Sequence, residues 1–232
     1  LVNQMWVPIS DEGTAICAAV HDSDGAGPGT PLLYVGGQFG AVGVYPATVP
    51  AANIAAWDGS VWRSVGGGIP SNGYVRSLAT YDPDGGGPRP EVLVAAGVFK
   101  KADGAPADWF TMWDGTSWLD LGQWFEPVIR HQPQNYAPDL QVMLSHDEDG
   151  PGPRQPALFL SGAFSTINGR ASPNLAIWRD GVWDHVCDGP DGSVNTLAIF
   201  NDGSGQRLFA AGEFAHSGAT TVNNVARWTG SK

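Results

Sequence analysis

The chain has few of the features that mark a disulfide scaffold, a nucleic-acid-binding protein or a membrane protein. Only two of its 232 residues are cysteines, Cys17 and Cys187. They fall on separate predicted elements, so we expect two free, mostly buried thiols instead of a disulfide. The 12 basic residues against 23 acidic ones give a formal charge of -11, which repels nucleic acids and anionic membranes. No apolar run approaches the roughly 18 residues of a membrane span.

Helical periodicity and catalytic motifs are also missing. No stretch keeps apolar residues at the i, i+3, i+4, i+7 spacing over three turns. No two histidines have the spacing of metal ligands, and there is neither a GxSxG elbow nor a glycine-rich phosphate loop before a helix. The sequence therefore predicts a protein without helices and favours a non-catalytic function.

What the sequence does contain is a recurring pattern. Four apolar runs end in glycine, one further residue and phenylalanine, and each is followed by a tryptophan segment, so each unit spans about fifty to sixty-five residues. The four phenylalanines are Phe39, Phe99, Phe164 and Phe214. The tryptophans that follow are Trp57, Trp113, Trp178 and Trp228, and the first three are each followed five residues later by a second, Trp62, Trp118 and Trp183.

Each unit predicts four short strands. A glycine-containing turn between paired tryptophans is typical of a tight hairpin, and a turn rich in Asp, Gly and Pro lies between two apolar runs upstream of each phenylalanine. Four strands per unit predict a blade of a β-propeller. We expect one all-β domain over residues 1–232, with units at about 11–69, 70–127, 128–190, and 191–232 plus 1–10.

The chain ends indicate how the last unit is completed. The fourth unit lacks a second tryptophan, whereas residues 5–9, with Trp6, resemble the strand that begins at Trp62. An N-terminal strand that completes the fourth blade would cover an exposed sheet edge. Three arrangements remain open: one chain forms a four-bladed ring, two chains form an eight-bladed ring, or the chain is part of a longer array.

The pattern resembles known repeats. The run ending in Gly36-Gly37, followed by tryptophans on either side of Asp58-Gly59, is similar to kelch-like and galactose-oxidase-like propeller repeats. It is closest to the form LYVGGxF...NIAxWDGxxW, which occurs in tandem in large secreted bacterial proteins. The segments beginning at Asn53, Asn174 and Asn224 match this form. The resemblance implies a propeller scaffold and carries over no catalytic residue.

One candidate site is a metal site at the Asp-x-Asp-Gly turns. Alternate carboxylates before glycine can hold a hard, oxygen-seeking ion such as calcium, the one cofactor that the sequence suggests. Aspartates that cap the backbone of their own turn explain the same letters. The residues concerned are Asp22, Asp24, Asp82, Asp84, Asp147 and Asp149.

A second candidate site is aromatic. Eight of the ten tryptophans belong to the recurring pattern, which leaves Trp109, at a position where the other units have Asn, and Trp124. Trp124 opens an irregular stretch, residues 123–139, of the kind that often carries binding in repeat proteins. An alternative is a long surface loop that packs its own aromatic side chains. The binding residues we predict are Trp109, Trp124, Phe125, Arg130, His131 and Tyr136.

From these features we predict a non-catalytic extracellular propeller that serves as a binding or assembly module. Its partner would be another protein or the chain itself, with no nucleic acid and no membrane insertion. The acidic composition with few lysines favours a secreted or cell-surface location. A carbohydrate-binding propeller is the first alternative, and an enzyme acting on polysaccharide is the second, because acidic residues from different units can meet at a ring axis.

Overall fold

The computed structural model describes residues 13–24, 27–70, 72–107, 109–119, 139–150, 152–179 and 181–230. The described part is all-β, with 55% of residues in strands and no helix, which confirms the all-β class of the prediction. The described residues do not by themselves show a closed ring or a number of blades. This part of the chain also has no apolar helix of the length that a membrane crossing requires.

The first two units form two antiparallel sheets, each with a small hairpin inserted before its third strand. The first sheet has the order β1 (Thr14–His21), β2 (Leu32–Gln38), β5 (Ile54–Trp57) and β6 (Trp62–Ser64), with the inserted hairpin β3 (Ala41–Val44) and β4 (Ala47–Pro50). The second sheet consists of β7 (Tyr74–Tyr81), β8 (Val92–Val98) and β11 (Phe110–Trp113), with the hairpin β9 (Lys101–Ala102) and β10 (Ala105–Pro106).

The last two units follow the same plan. The third sheet has the order β12 (Asp139–His146), β13 (Ala157–Ala163), β16 (Leu175–Arg179) and β17 (Val182–His185), with the hairpin β14 (Thr166–Ile167) and β15 (Arg170–Ala171). The fourth sheet consists of β18 (Ser193–Asn201), β19 (Gln206–Glu213) and β22 (Val225–Arg227), with the hairpin β20 (His216–Ser217) and β21 (Thr220–Thr221).

The paired tryptophans lie opposite one another across hairpins, as predicted. Trp57 pairs with Trp62, and Trp178 pairs with Trp183, with ring centroids 5.2 and 5.3 Å apart. In the second sheet the two tryptophans form an isolated bridge between Trp113 and Trp118. Such tilted or edge-on aromatic pairs contribute about 0.5–1.5 kcal/mol beyond the area that they bury.

A bulge at the start of each sheet accompanies a close approach of two strands, which explains the glycine in three of the four apolar runs. The register of the first hairpin shifts between Ala15 and Cys17 in the first sheet, and at equivalent places in the other three. A Cβ at Gly97 would lie 2.2 Å from the carbonyl oxygen of Tyr74. The same contact would be 2.1 Å at Gly37 and 2.0 Å at Gly212. Only glycine lets the strands approach this closely.

The sheets pack face to face in chain order, and a hydrophobic cluster fills each of the three junctions. Strands β1 and β2 pack on β7, strands β7 and β8 pack on β12, and strands β12 and β13 pack on β18. Tyr34 and Leu93 belong to the first cluster, Val94 and Leu160 to the second, and Phe159 and Leu208 to the third. All six side chains are buried. We call these three contacts the inner junctions.

The asparagine of the NIAxW pattern has a structural role. Asn53 has a left-handed backbone with φ of 61°, which asparagine tolerates better than most residues. Its side-chain oxygen accepts the Phe39 N–H at 2.9 Å, and the two protons of its amide nitrogen are shared among the carbonyls of Ile69, Pro70 and Gly73. It therefore ties one sheet to the segment that leads to the next.

Both cysteines are free, as predicted, but they differ in exposure. Cys17 is half-buried on the face of β1 that packs on the second sheet, and desolvation raises its pKa to about 12. The prediction of a mostly buried thiol is wrong for Cys187, which is exposed. The reason is its position: it follows β17, which is the outermost strand of the third sheet among the described residues.

Candidate functional site

The Asp-x-Asp-Gly turns direct their carboxylates toward their own backbone. Asp82 accepts the N–H groups of Asp84, Gly85 and Gly86, and Asp84 accepts the N–H of Arg89 at 2.9 Å. This bond from Arg89 is the largest cause that lowers the pKa of Asp84. The second sheet's turn is thus closed by two interlocking carboxylate caps.

The other two turns follow the same plan. Asp22 accepts the N–H of Asp24, and Asp24 accepts the N–H of Gly29 at 2.9 Å, which lowers the pKa of Asp24. Asp147 caps Asp149 and Gly150, and Asp149 accepts the N–H of Arg154. Nowhere in the described ranges do three His, Cys, Asp or Glu side chains come together as metal ligands. These contacts favour turn capping, and calcium binding there stays a prediction.

A cleft of about 690 Å³ lies between the turns of the third and fourth sheets. It exists because only four residues connect β18 to β19, whereas ten connect the first two strands of each other sheet. His146 and Arg207 line it together with Glu148, whose carboxylate binds Arg179 and the Trp228 indole N–H. With Glu148 engaged in this way, the acidic wall of the cleft holds two sheets together.

Only one residue of the predicted aromatic site lies within the described ranges. Trp109 has a left-handed backbone, with φ of 66°, at the position that Asn53 occupies in the first sheet. The Lys100 ammonium lies 3.6 Å from its ring centroid, so a cation–π contact covers one face of the ring. Trp124, Phe125, Arg130, His131 and Tyr136 lie outside the described residues, and their grouping stays a prediction.

The outward face of the first sheet is an incompletely covered apolar surface, which we call the first-sheet end face. Val20 is 62% exposed, and Leu33, Val35 and Trp57 are half-buried. The strand pairings give the equivalent positions of Leu33, Val35 and Trp57 in the next two sheets. Those positions, all buried in inner junctions, are Leu93, Ala95, Trp113, Leu158, Leu160 and Trp178.

The outward face of the fourth sheet is the counterpart, which we call the fourth-sheet end face. Phe200 is 61% exposed and Val225 is 58% exposed, with Phe209 half-buried between them in sequence. Phe200 occupies the strand position that precedes the turn. The residues at this position in the other sheets are His21, Tyr81 and His146, with exposures of 1%, 2% and 5%.

Two arginines of the fourth sheet stand at positions that are apolar in the other sheets. Arg227 stands where the others have Ala56, Met112 and Ile177, all of them buried. It pairs with Asp202 at 2.8 Å. The Ser204 hydroxyl, followed by other donors that include Arg227, lowers the pKa of Asp202 to about 2. The second arginine, Arg207, donates to the Ser204 carbonyl at 3.0 Å.

Comparison of the chain with protein-family models, curated proteins and solved structures gives no match. The candidate function therefore depends on the geometry of this chain alone. Sequence reasoning missed both end faces, although the two arginines at otherwise apolar positions were a visible sign that the fourth sheet differs. It also missed the cleft, which the short turn after Asn201 could have indicated.

Proposed function

We propose that the chain is a non-catalytic β-propeller module whose function is assembly through its two end faces. Each sheet is one blade, and in the two-chain arrangement residues 5–9 of each copy supply the fourth strand of the other copy's fourth blade. The strand order within the sheets and their face-to-face packing support this assignment. The acidic composition supports an extracellular location.

The observation that carries the proposal is the exposure of Phe200 at a position that is buried in the three preceding sheets. Covering a large apolar side chain contributes about 1.5–3 kcal/mol, so several such residues on one face favour association. A four-bladed ring of one chain would cover both end faces within the molecule. Their exposure supports the arrangement in which two chains supply four blades each.

Hydrogen–deuterium exchange of the full chain over a range of protein concentrations tests this function. Association through the end faces predicts that amides of β1, β18 and β22 become slower to exchange as the concentration rises, whereas β8 and β13 keep their rates. Exchange in β1, β18 and β22 that is independent of concentration would overturn the proposal.

A further inference from the structure

We infer that the partner of the fourth-sheet end face is the first-sheet end face of a second copy of this chain, in a head-to-tail contact. This inference rests on the proposed function and specifies its partner. Three independent features carry it: the continuity of the inner junctions, a hydrogen bond that recurs at each junction, and the charge of the two faces.

The first feature is continuity with the inner junctions. In each inner junction one sheet packs on the following sheet. The face that the following sheet presents carries the positions that form the first-sheet end face in the first sheet. In the third inner junction, Phe159 of the third sheet lies in one cluster with Leu208 of the fourth. On the fourth-sheet end face, Phe209 occupies the position equivalent to Phe159. On the first-sheet end face, Leu33 occupies the position equivalent to Leu208. A fourth junction of the same kind therefore needs a first sheet.

The second feature is a polar contact at the bulge of the following sheet. Ser77 accepts the Met143 N–H at 3.0 Å across the second junction, and the Ser161 hydroxyl donates to the Val194 carbonyl at 3.0 Å across the third. At the first junction the Cys17 thiol points to the Val75 carbonyl at 3.9 Å.

On the fourth sheet, Thr196 occupies the strand position of Cys17 and Ser77, and it is exposed. Its partners in a fourth junction are the bulge atoms of β1 in the second copy. By the same register these are the Ala15 carbonyl and the Ala18 N–H. The Thr196 hydroxyl can donate to the Ala15 carbonyl and accept from the Ala18 N–H.

The third feature is charge. Arg227, paired with Asp202, lies on the fourth-sheet end face, whereas Val20, Leu33, Val35 and Trp57 of the first-sheet end face carry no charge. A symmetric contact between two fourth sheets would take two Arg227–Asp202 ion pairs out of water, which costs free energy. A head-to-tail contact takes only one such pair out of water, and arginine beside aromatic side chains is common in protein interfaces.

The test uses two full-length variants, Val20→Asp and Phe200→Asp, each of which places a carboxylate in one end face. We expect each variant alone to stay at the mass of one chain, 24.4 kDa, at concentrations where the unaltered protein doubles its mass. A mixture of the two regains a two-chain species, because one intact fourth-sheet face and one intact first-sheet face remain. The control is Val182→Asp, on the outer strand of the third sheet and 56% exposed, which associates like the unaltered protein.

Thermal unfolding of each variant first establishes that it is folded, as expected for exposed positions. A mixture that stays at the mass of single chains would overturn the head-to-tail contact, and so would a Val20→Asp variant that still associates alone. In that second case the fourth-sheet face would still be slow to exchange in the concentrated protein, so the proposed function would survive. Loss of the proposed function itself would appear separately, as exchange rates of the unaltered chain that never depend on concentration.

Discussion

Asn53 shows how a single residue links a sheet to the segment that leads to the next sheet. The recurring asparagine was recognisable in the sequence, but its role was not, because a left-handed backbone and four buried hydrogen bonds depend on residues far along the chain. Asn53 bonds to Phe39 on one side and to residues 69–73 on the other. The equivalent Asn224 is exposed.

Because Asn53 is buried and Asn224 is exposed, the substitution by alanine should reduce the free energy of unfolding more at position 53 than at position 224. Asn53→Ala leaves the Phe39 N–H and the carbonyl groups of Ile69 and Gly73 without this partner and puts a less tolerant residue at positive φ. We expect a loss of about 2–4 kcal/mol in the free energy of unfolding, measured by urea denaturation. Asn224→Ala, the matched control, should cost about 1 kcal/mol or less. Equal losses for the two variants would show that the buried hydrogen bonds contribute little.

The two thiols predict a difference in reactivity. With its pKa raised to about 12, Cys17 is almost entirely a protonated thiol at neutral pH, and the thiolate is the reactive form. Cys187 is exposed. A thiol reagent at pH 7.5 should label Cys187 at least about tenfold faster than Cys17. The Cys187→Ser variant should therefore lose the fast phase of labelling. A fast phase that persists in this variant would contradict the placement of Cys17.

At the scale of strands and sheets, the hairpins were predictable and the bulges were not. Turn residues between two tryptophans or two apolar runs are a local signal, and the strands form where the sequence indicates them. The bulge near Cys17 has no local signal, because it depends on how closely β1 approaches β2 at Gly37. The end faces were missed for the same reason, since burial depends on which sheets pack together.

The bulge predicts an asymmetry between two glycines. In Gly97→Ala the added methyl would meet the Tyr74 carbonyl, so β7 and β8 must separate. We expect a loss of about 1–3 kcal/mol in the free energy of unfolding. Gly40→Ala is the control, because no atom lies within 4 Å of its added Cβ, and it should change stability by about 0.5 kcal/mol or less. A Gly97→Ala variant as stable as Gly40→Ala would contradict the close approach.

His146, at the end of β12, predicts a pH dependence of stability. Burial is the largest cause that lowers the pKa of His146 below the usual 6.5. Below about pH 6.5 the unfolded chain therefore binds a proton that the folded chain binds only at lower pH, so acidification from about pH 7 to pH 5 reduces stability.

Replacing His146 with Tyr, the residue at the equivalent position 81, removes this group. The His146→Tyr variant should lose less of its free energy of unfolding than the unaltered protein between about pH 7 and pH 5. Urea denaturation at both pH values measures the difference. Parallel losses in the two proteins would mean that the folded state does not hold His146 in its neutral form.

At the scale of the whole molecule, the sequence predicted an all-β chain of four similar units, and the structure adds two incompletely covered apolar faces, one on the first sheet and one on the fourth. The inner junctions bury the positions equivalent to Leu33, Val35 and Trp57 in the second and third sheets, although Ile199 of the fourth sheet, at the position of Val20, is 38% exposed. Within the described part of the chain, the turn aspartates cap their own backbone and Glu148 is engaged across the cleft, which supports our proposal that a partner binds at the end faces.

The most direct test of this account is the native mass of the unaltered chain, measured by light scattering across a wide concentration range. The account predicts a rise from 24.4 kDa to twice that mass as the end faces of two copies meet. A mass that stays at 24.4 kDa up to the highest concentration would contradict it, because two exposed apolar faces would then bring no copies together.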